Sequence, residues 1–252
     1  MQSTRTLFST NELSTKQTLT LIGLAGLTSL ILVVVPIVGL LDYPFRLMIT
    51  LVHELGHGLA AILTGGSFLF FEVFPNGGGL AHTSGGMRFV VIPAGYLGAA
   101  LFGTLLILLG RSHRWSRIAL GVIGAAMALL SLRFGIPSIW NASIVGGLLA
   151  TFTGFLFGAV LMWVAAKASP GWIIFFLHLI AIQAVLMSFS DLMALVGLSS
   201  HFFTPSGNDA QSMTDLTLIP AFFWAQLWVI IALALIGGAI WFTWLRPSRR
   251  TG

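Results

Sequence analysis

Two classes of residue that soluble enzymes use freely are scarce or missing in this sequence. None of the 252 residues is cysteine, which excludes disulfide bonds and thiolate metal ligands. Charged residues make up 8% of the chain and hydrophobic residues 57%, whereas about a quarter of a soluble domain is charged. This balance predicts an integral membrane protein. The net charge of +5 is scattered over short loops, so it bears on membrane orientation and does not indicate a nucleic-acid partner.

Long apolar runs fill most of the chain. A membrane-spanning helix needs about 20 mostly apolar residues, and Pro93 should kink the run that contains it. The runs are 19–41, 44–64, 88–110, 118–132, 142–166, 171–197 and 219–245. We therefore predict an all-α polytopic membrane protein with about seven transmembrane helices. It should form a single transmembrane domain over 1–252, with a flexible polar N-terminus at 1–17 and a basic tail at 246–252.

Two polar stretches interrupt this pattern. Residues 65–86 contain the aromatic segment "SFLFFEVF", the turn-forming "PNGGG" and the returning "LAHTS", which together predict a membrane-associated β-hairpin. Residues 198–220 are rich in Ser, Gly and Pro and contain His201, Asp209 and Asp215. We expect mostly loop there, with a short helix over residues 208–216.

The second run contains the pentapeptide "HELGH", which is His53 to His57. Charged and polar side chains inside an apolar span are costly and indicate function. Histidines four residues apart project from one helix face, so both imidazoles can bind one zinc ion. Glu54 between them can then act as acid and base on a zinc-bound water. The pattern favours metal-assisted peptide hydrolysis over polar side chains that merely pair across a helix bundle.

A catalytic zinc usually has three protein ligands, and HExxH supplies only two. Asp191 is preferred as the third, because it and His57 each lie roughly 10 Å from the same membrane face if their helices run parallel. Asp209 is the alternative, from a loop that could fold back over that face. His178 has only apolar neighbours, and His82 lies in the hairpin turn region, so both are weaker candidates.

The HELGH segment and three later segments of the sequence resemble the site-2 protease family of intramembrane zinc metallopeptidases, in its bacterial and fungal branch. The similar segments are "HELGHGLAAILTGG", "FPNGGGLAHTSGG", "IPAGYLGAALFG" and "NDAQSMTDLTLIPAFFWAQLW". The resemblance implies one Zn²⁺ per chain, bound by His53 and His57, with Glu54 as the catalytic acid and base. The Leu-Asp-Gly motif that carries the third ligand in better-known members is absent, and "SDL" at 190–192 and "NDA" at 208–210 are the comparable segments.

The resemblance also implies how a substrate is held. The hairpin would add an extended segment of a transmembrane protein substrate to its edge. The hairpin residues expected to bind that segment are Phe70, Glu72, Asn76, Gly77 and Gly78. The protein is expected to lie in the lipid bilayer as a multi-pass protein of a bacterial inner or plasma membrane.

Two other functions stay open at this stage. One is a catalytically silent relative that binds transmembrane helices as a scaffold. The other is a transporter or proton channel with a His/Glu relay. The orientation also stays open, since the positive-inside rule places the N-terminus outside and the family arrangement implies the reverse.

Overall fold

The fold is known from a computed structural model that describes residues 15–34, 41–110, 112–199 and 208–245. Within these residues the chain forms ten α-helices, one β-hairpin and a C-terminal π-helical segment, Trp241–Leu245. In chain order the elements are α1 (Thr15–Val34), α2 (Tyr43–Leu63), β1 (Ser67–Val73), β2 (Gly79–Ser84), α3 (Arg88–Val91), α4 (Ala94–Leu109), α5 (His113–Gly135), α6 (Ser138–Asn141), α7 (Ile144–Lys167), α8 (Pro170–Ser199), α9 (Asp209–Thr217) and α10 (Ala221–Ile240).

The prediction of an all-α polytopic membrane protein with a hairpin after the HELGH helix is confirmed. Six helical segments of the described chain are long and apolar enough to cross a membrane, namely those built on α1, α2, α5, α7, α8 and α10. The remaining predicted span, 88–110, is divided at Pro93 into α3 and the apolar α4 of 16 residues. A helix of that length covers about 24 Å, less than the roughly 30 Å hydrocarbon core.

One predicted span was too short. The apolar run 118–132 is part of the longer helix α5, which starts five residues earlier, at His113. The added turn carries Arg117, whose guanidinium donates hydrogen bonds to the carbonyls of Ala165 and Ala168 at 2.6 and 3.0 Å. These carbonyls end α7 and lack helical partners, so the arginine satisfies them. A hydropathy profile does not reveal the first turn of α5, because its residues are mostly polar and Arg117 caps the end of α7.

Both predicted terminal segments fall largely outside the described residues. Of the polar segment 1–17, residues 15–17 form the first turn of α1, and the basic tail 246–252 is not described. His201 of the polar loop also lies outside the described residues, whereas the predicted short helix is present as α9, one residue later at each end.

Two large hydrophobic cores hold most of the described helices together. The first core joins α2, β1, α4, α5, α7 and α8, around side chains such as Leu51, Phe71 and Ile173. The second core joins α4, α8, α9 and α10, around Met213 and Trp228. Helices α4 and α8 belong to both cores, so α2 and α9 meet at the boundary between them.

The outer surface of the bundle is apolar. Val122 and Leu129 on α5, Phe152 on α7 and Ile230 on α10 are between 62% and 67% exposed. Large exposed apolar surfaces are unfavourable in water and favourable in hydrocarbon. The protein is therefore an integral membrane protein.

The hairpin packs inward from β1. Phe68, Phe71 and Val73 are buried, and Phe68 stacks on Phe134 of α5 with ring centroids 4.2 Å apart. The Ser138 hydroxyl donates a hydrogen bond to the Phe71 carbonyl, which ties β1 to α6. The two strands pair antiparallel, with a register shift between Phe68 and Phe70. The outer side of β1 contacts helices, and the strand that faces the cavity is β2.

Candidate metal centre

Helix α2 presents both histidines of the pentapeptide on one side. The Nε2 atoms of His53 and His57 are 3.0 Å apart, and their rings meet at an angle of 75°. This convergence follows from the four-residue spacing on a regular helix. It is the arrangement that the sequence predicts.

Asp209 completes a group of three donors. Its Oδ2 atom lies 3.3 Å from Nε2 of His53 and 3.3 Å from Nε2 of His57. The residue opens α9, and the preceding Asn208 caps that helix by accepting a hydrogen bond from the Gln211 amide at 2.9 Å. The cap fixes where α9 begins and therefore where the carboxylate of Asp209 is held.

The electrostatics of Asp209 favour its charged form. Burial alone would raise the pKa of this carboxyl, but hydrogen bonds with His53 and His57, together with the charges of both rings, outweigh it. The pKa therefore lies well below its usual range. A carboxylate that stays ionised is suited to bind a cation.

The spacing of the three donor atoms fits a tetrahedral zinc site. Ligand atoms about 2.0–2.2 Å from one zinc ion at tetrahedral angles lie about 3.3–3.5 Å from one another. The separations here are 3.0, 3.3 and 3.3 Å. Within the described residues, His53, His57 and Asp209 are also the one group of His and acidic side chains close enough to hold a metal ion.

Two neighbouring backbone features leave the histidine nitrogens accessible to a metal ion. Nδ1 of His57 lies 2.8 Å from the Val91 carbonyl of α3. Since a carbonyl only accepts, Nδ1 carries a proton, and in the neutral ring Nε2 then has the lone pair that a metal needs. On α4, a Cβ added to Gly95 would lie 2.4 Å from Nε2 of both His53 and His57. Only glycine leaves the space beside the two nitrogens open.

Glu54 lies under strand β2. It is buried, with 4% of the residue exposed, and the backbone amide of Ala81 interacts with its carboxylate. A Cβ on Gly79 would lie 2.6 Å from Glu54 Oε1, so the strand approaches the carboxylate closely enough to require glycine. The hairpin thus fixes the orientation of the acidic side chain.

These residues line a cavity of about 680 Å³. The turn and the β2 edge of the hairpin form one side of it, and α8 and α9 form another. The lining includes Arg46, Thr50, His53, Glu54, His57, Asn76, Gly77, Gly78, Gly79, Leu80, Ala81, Thr83, Arg88, Tyr96, Asp191, Asn208 and Asp209. The cavity is large enough for several residues of an extended peptide.

The structure places Asp209, and not Asp191, against the two histidines. Asp191 lines the cavity but faces Arg46, whose Nη1 atom is 3.8 Å from its Oδ1, whereas Asp209 contacts both histidines. Comparing the membrane depths of Asp191 and His57 from the sequence gave the position of Asp191 along α8. It did not give the side of α8 from which the Asp191 side chain projects. His178 is buried in α8 with Nδ1 2.7 Å from the Ile174 carbonyl, and His82 pairs with Glu72 at 3.3 Å.

Two of the five hairpin residues expected to bind a substrate, Phe70 and Glu72, do not line the cavity. The other three, Asn76, Gly77 and Gly78, line it. Phe70 stacks on His82 with centroids 4.2 Å apart, and Glu72 is buried and pairs with His82 at 3.3 Å. They belong to β1, whose outer side packs on helices, so the strand that faces the cavity is β2.

Three features of the site escaped prediction from the sequence. The Val91 carbonyl and the Ala81 amide are backbone groups, and no side-chain pattern marks them. Tyr96 lies against His53, with ring centroids 4.6 Å apart at 89°. Tyr96 is one of only two tyrosines in the chain and lies inside an apolar run. A polar hydroxyl at such a position is the sequence feature that could have indicated a role in the site.

Comparison with known proteins assigns the chain to a family. The sequence model of the family described as Peptidase M50B-like matches residues 24–239. No curated protein and no solved structure gives a significant match. The matched region contains α2, the hairpin and α9, so it includes every residue of the candidate metal centre. The chain therefore belongs to the Peptidase M50B-like family, within the site-2 protease group of membrane peptidases.

Proposed function

We propose that the protein is an intramembrane zinc metalloendopeptidase that hydrolyses peptide bonds of membrane-spanning substrates. The observation that carries this proposal is the convergence of His53, His57 and Asp209 beside Glu54. Two imidazoles and one carboxylate leave a fourth position open, which is the ligand pattern of catalytic zinc. Family membership adds that the chain is related to peptidases.

Each residue of the centre has a distinct role in this proposal. His53, His57 and Asp209 hold the metal, which when bound supplies Lewis acidity to a water and to the peptide carbonyl. Glu54 takes a proton from the attacking water and later gives it to the leaving nitrogen. The contacts from Gly79 and Ala81 keep the Glu54 carboxylate pointed at the cavity.

The edge of β2 is the proposed binding site for the substrate backbone. A peptide bond in a helix is shielded by its own hydrogen bonds, so the substrate must be extended before attack. Residues Gly79, Ala81 and Thr83 bring a strand edge to the cavity, and such an edge can pair with an extended chain. The turn residues Asn76, Gly77 and Gly78 would bind the same segment.

The other two functions make different demands on the chain. A proton relay needs titratable side chains at successive depths of the bundle, whereas His53, Glu54, His57, Asp191 and Asp209 all line one and the same cavity. A silent scaffold would need no metal. Zinc content and proteolysis together therefore distinguish the protease from the other two functions.

Zinc binding provides the direct test of the proposal. We expect purified protein to contain about one zinc per chain and His53→Ala to contain almost none, because two donors alone bind zinc weakly. Metal analysis by mass spectrometry measures this, together with cleavage of labelled β-casein in detergent. Casein is unstructured and therefore needs no unwinding.

His113→Ala is the matched control for that test. His113 starts α5 and does not line the cavity, so this variant should keep both zinc and cleavage. Absence of zinc from the wild-type protein would contradict the proposal. Zinc-loaded protein that cleaves neither casein nor a panel of single-span peptides would instead support the silent scaffold.

A further inference from the structure

Peptide hydrolysis places negative charge on the carbonyl oxygen of the scissile bond. Enzymes stabilise that charge with hydrogen-bond donors fixed in advance. Several donor side chains that line the cavity are engaged within the chain itself. Thr50 donates to the Gly77 carbonyl at 2.6 Å, and Arg46 faces Asp191.

Tyr96 differs from these side chains. Among the residues that the structure describes, its hydroxyl has no hydrogen-bond partner, and the residue lines the cavity. A phenol keeps its proton at neutral pH and can donate it in a hydrogen bond. Tyr96 is therefore a donor available to a bound substrate.

The ring of Tyr96 is held from two sides. It meets His53 edge to face at 4.6 Å and stacks on Trp228 of α10, with centroids 5.7 Å apart and planes 25° apart. Such aromatic contacts favour one ring orientation over others. The hydroxyl is therefore positioned before any substrate arrives, as electrostatic stabilisation of a transition state requires.

The surroundings of the phenol place it at the reaction centre. Its ring contacts His53, and it lines the same cavity as Glu54 and Asp209. Asp209 marks the metal position and Glu54 marks the catalytic base. A donor in the same cavity as both is suited to contact the carbonyl of a scissile bond bound there.

We propose that Tyr96 is a catalytic residue whose hydroxyl donates a hydrogen bond to the oxygen of the scissile carbonyl. The water oxygen bonds to the carbonyl carbon while Glu54 takes a water proton, and the carbonyl π electrons move onto the oxygen that Tyr96 contacts. When the C–N bond breaks, these electrons re-form the C=O bond and Glu54 returns the proton to nitrogen. Tyr96 keeps its own proton throughout. This inference rests on the proposed function.

Tyr96→Phe tests the inference, because it keeps the ring contacts and removes only the hydroxyl. We expect kcat on a fluorogenic peptide from a mapped casein site to fall roughly 100-fold, the usual effect of one lost oxyanion donor. KM and zinc content should not change. A phosphinic analogue of that peptide mimics the tetrahedral oxygen, so its affinity should fall by a similar factor.

Thr104→Val is the matched control, since it removes a hydroxyl from the same helix. Thr104 donates to the Ala100 carbonyl at 2.8 Å and does not line the cavity, so kcat should stay at the wild-type value. An unchanged kcat in Tyr96→Phe would overturn the inference. Loss of zinc in Tyr96→Phe would also overturn it, because the ring would then act by positioning His53.

Failure of the inference and failure of the proposed function give different results. If Tyr96→Phe is fully active while removal of Glu54 or His53 abolishes cleavage, only the role of Tyr96 is wrong. If the wild-type protein holds no zinc and cleaves nothing, the proposed function is wrong.

Discussion

Glu54→Gln is expected to abolish proteolysis while leaving the metal site filled. The amide has almost the same shape as the carboxylate but cannot take a proton from water, so kcat should fall by about 10³-fold or more. Zinc content should stay near one per chain, because Glu54 is not among the three converging donors. Metal analysis and casein cleavage on the same preparation measure both quantities.

Asp215→Asn gives that experiment its control. It makes the same carboxylate-to-amide change on α9, where Asp215 accepts a hydrogen bond from Gln211 at 3.1 Å outside the cavity. Cleavage by this variant should match the wild type. Cleavage by Glu54→Gln at the wild-type rate would remove Glu54 from the mechanism, and loss of zinc would show that Glu54 helps to hold the metal.

Asp209→Ala is expected to remove most of the zinc, and Asp191→Ala is expected to retain it. Changes to groups that only support a zinc ligand already weaken metal binding roughly 10–100-fold, so loss of a ligand should exceed that range. Asp191 instead faces Arg46 at 3.8 Å, and both side chains are more than two-fifths exposed. The two variants remove the same group from the same cavity, so each controls for the other.

Zinc content of both variants, measured after equal purification in detergent, decides between the two aspartates. Retention of zinc in Asp209→Ala together with its loss in Asp191→Ala would contradict the assignment that the geometry supports. Loss in both would indicate that the Arg46–Asp191 contact is needed to keep α2 and α8 in place around the metal.

Packing explains why the third donor comes from α9. Helix α9 is short and polar outside, but its buried Ala210 and Met213 attach it to the second core. The Trp224 indole also donates a hydrogen bond to Thr217 at 3.1 Å, joining the end of α9 to α10. These contacts hold the start of α9 against α2, although Asp209 and His57 are far apart in the sequence.

The sequence by itself determined the local chemistry of this protein. The four-residue spacing of His53 and His57 sets their convergence on any helix, and the aromatic strand, Gly-rich turn and returning strand set the hairpin. Composition was enough to establish a membrane protein. In each case the interacting residues are near neighbours in the chain, so periodicity and turn chemistry carry the information.

Only the tertiary structure decided which aspartate meets the histidines and which strand faces the cavity. Distance along a helix can be counted, but the direction of Asp191 around α8 depends on the packing of α8 against its neighbours. The choice between β1 and β2 likewise depends on Phe68 and Phe71, which pack against the first core and leave β2 on the side of the cavity. The packing of distant segments sets both, which is why the sequence left the third donor open and the structure brings Asp209 to the two histidines.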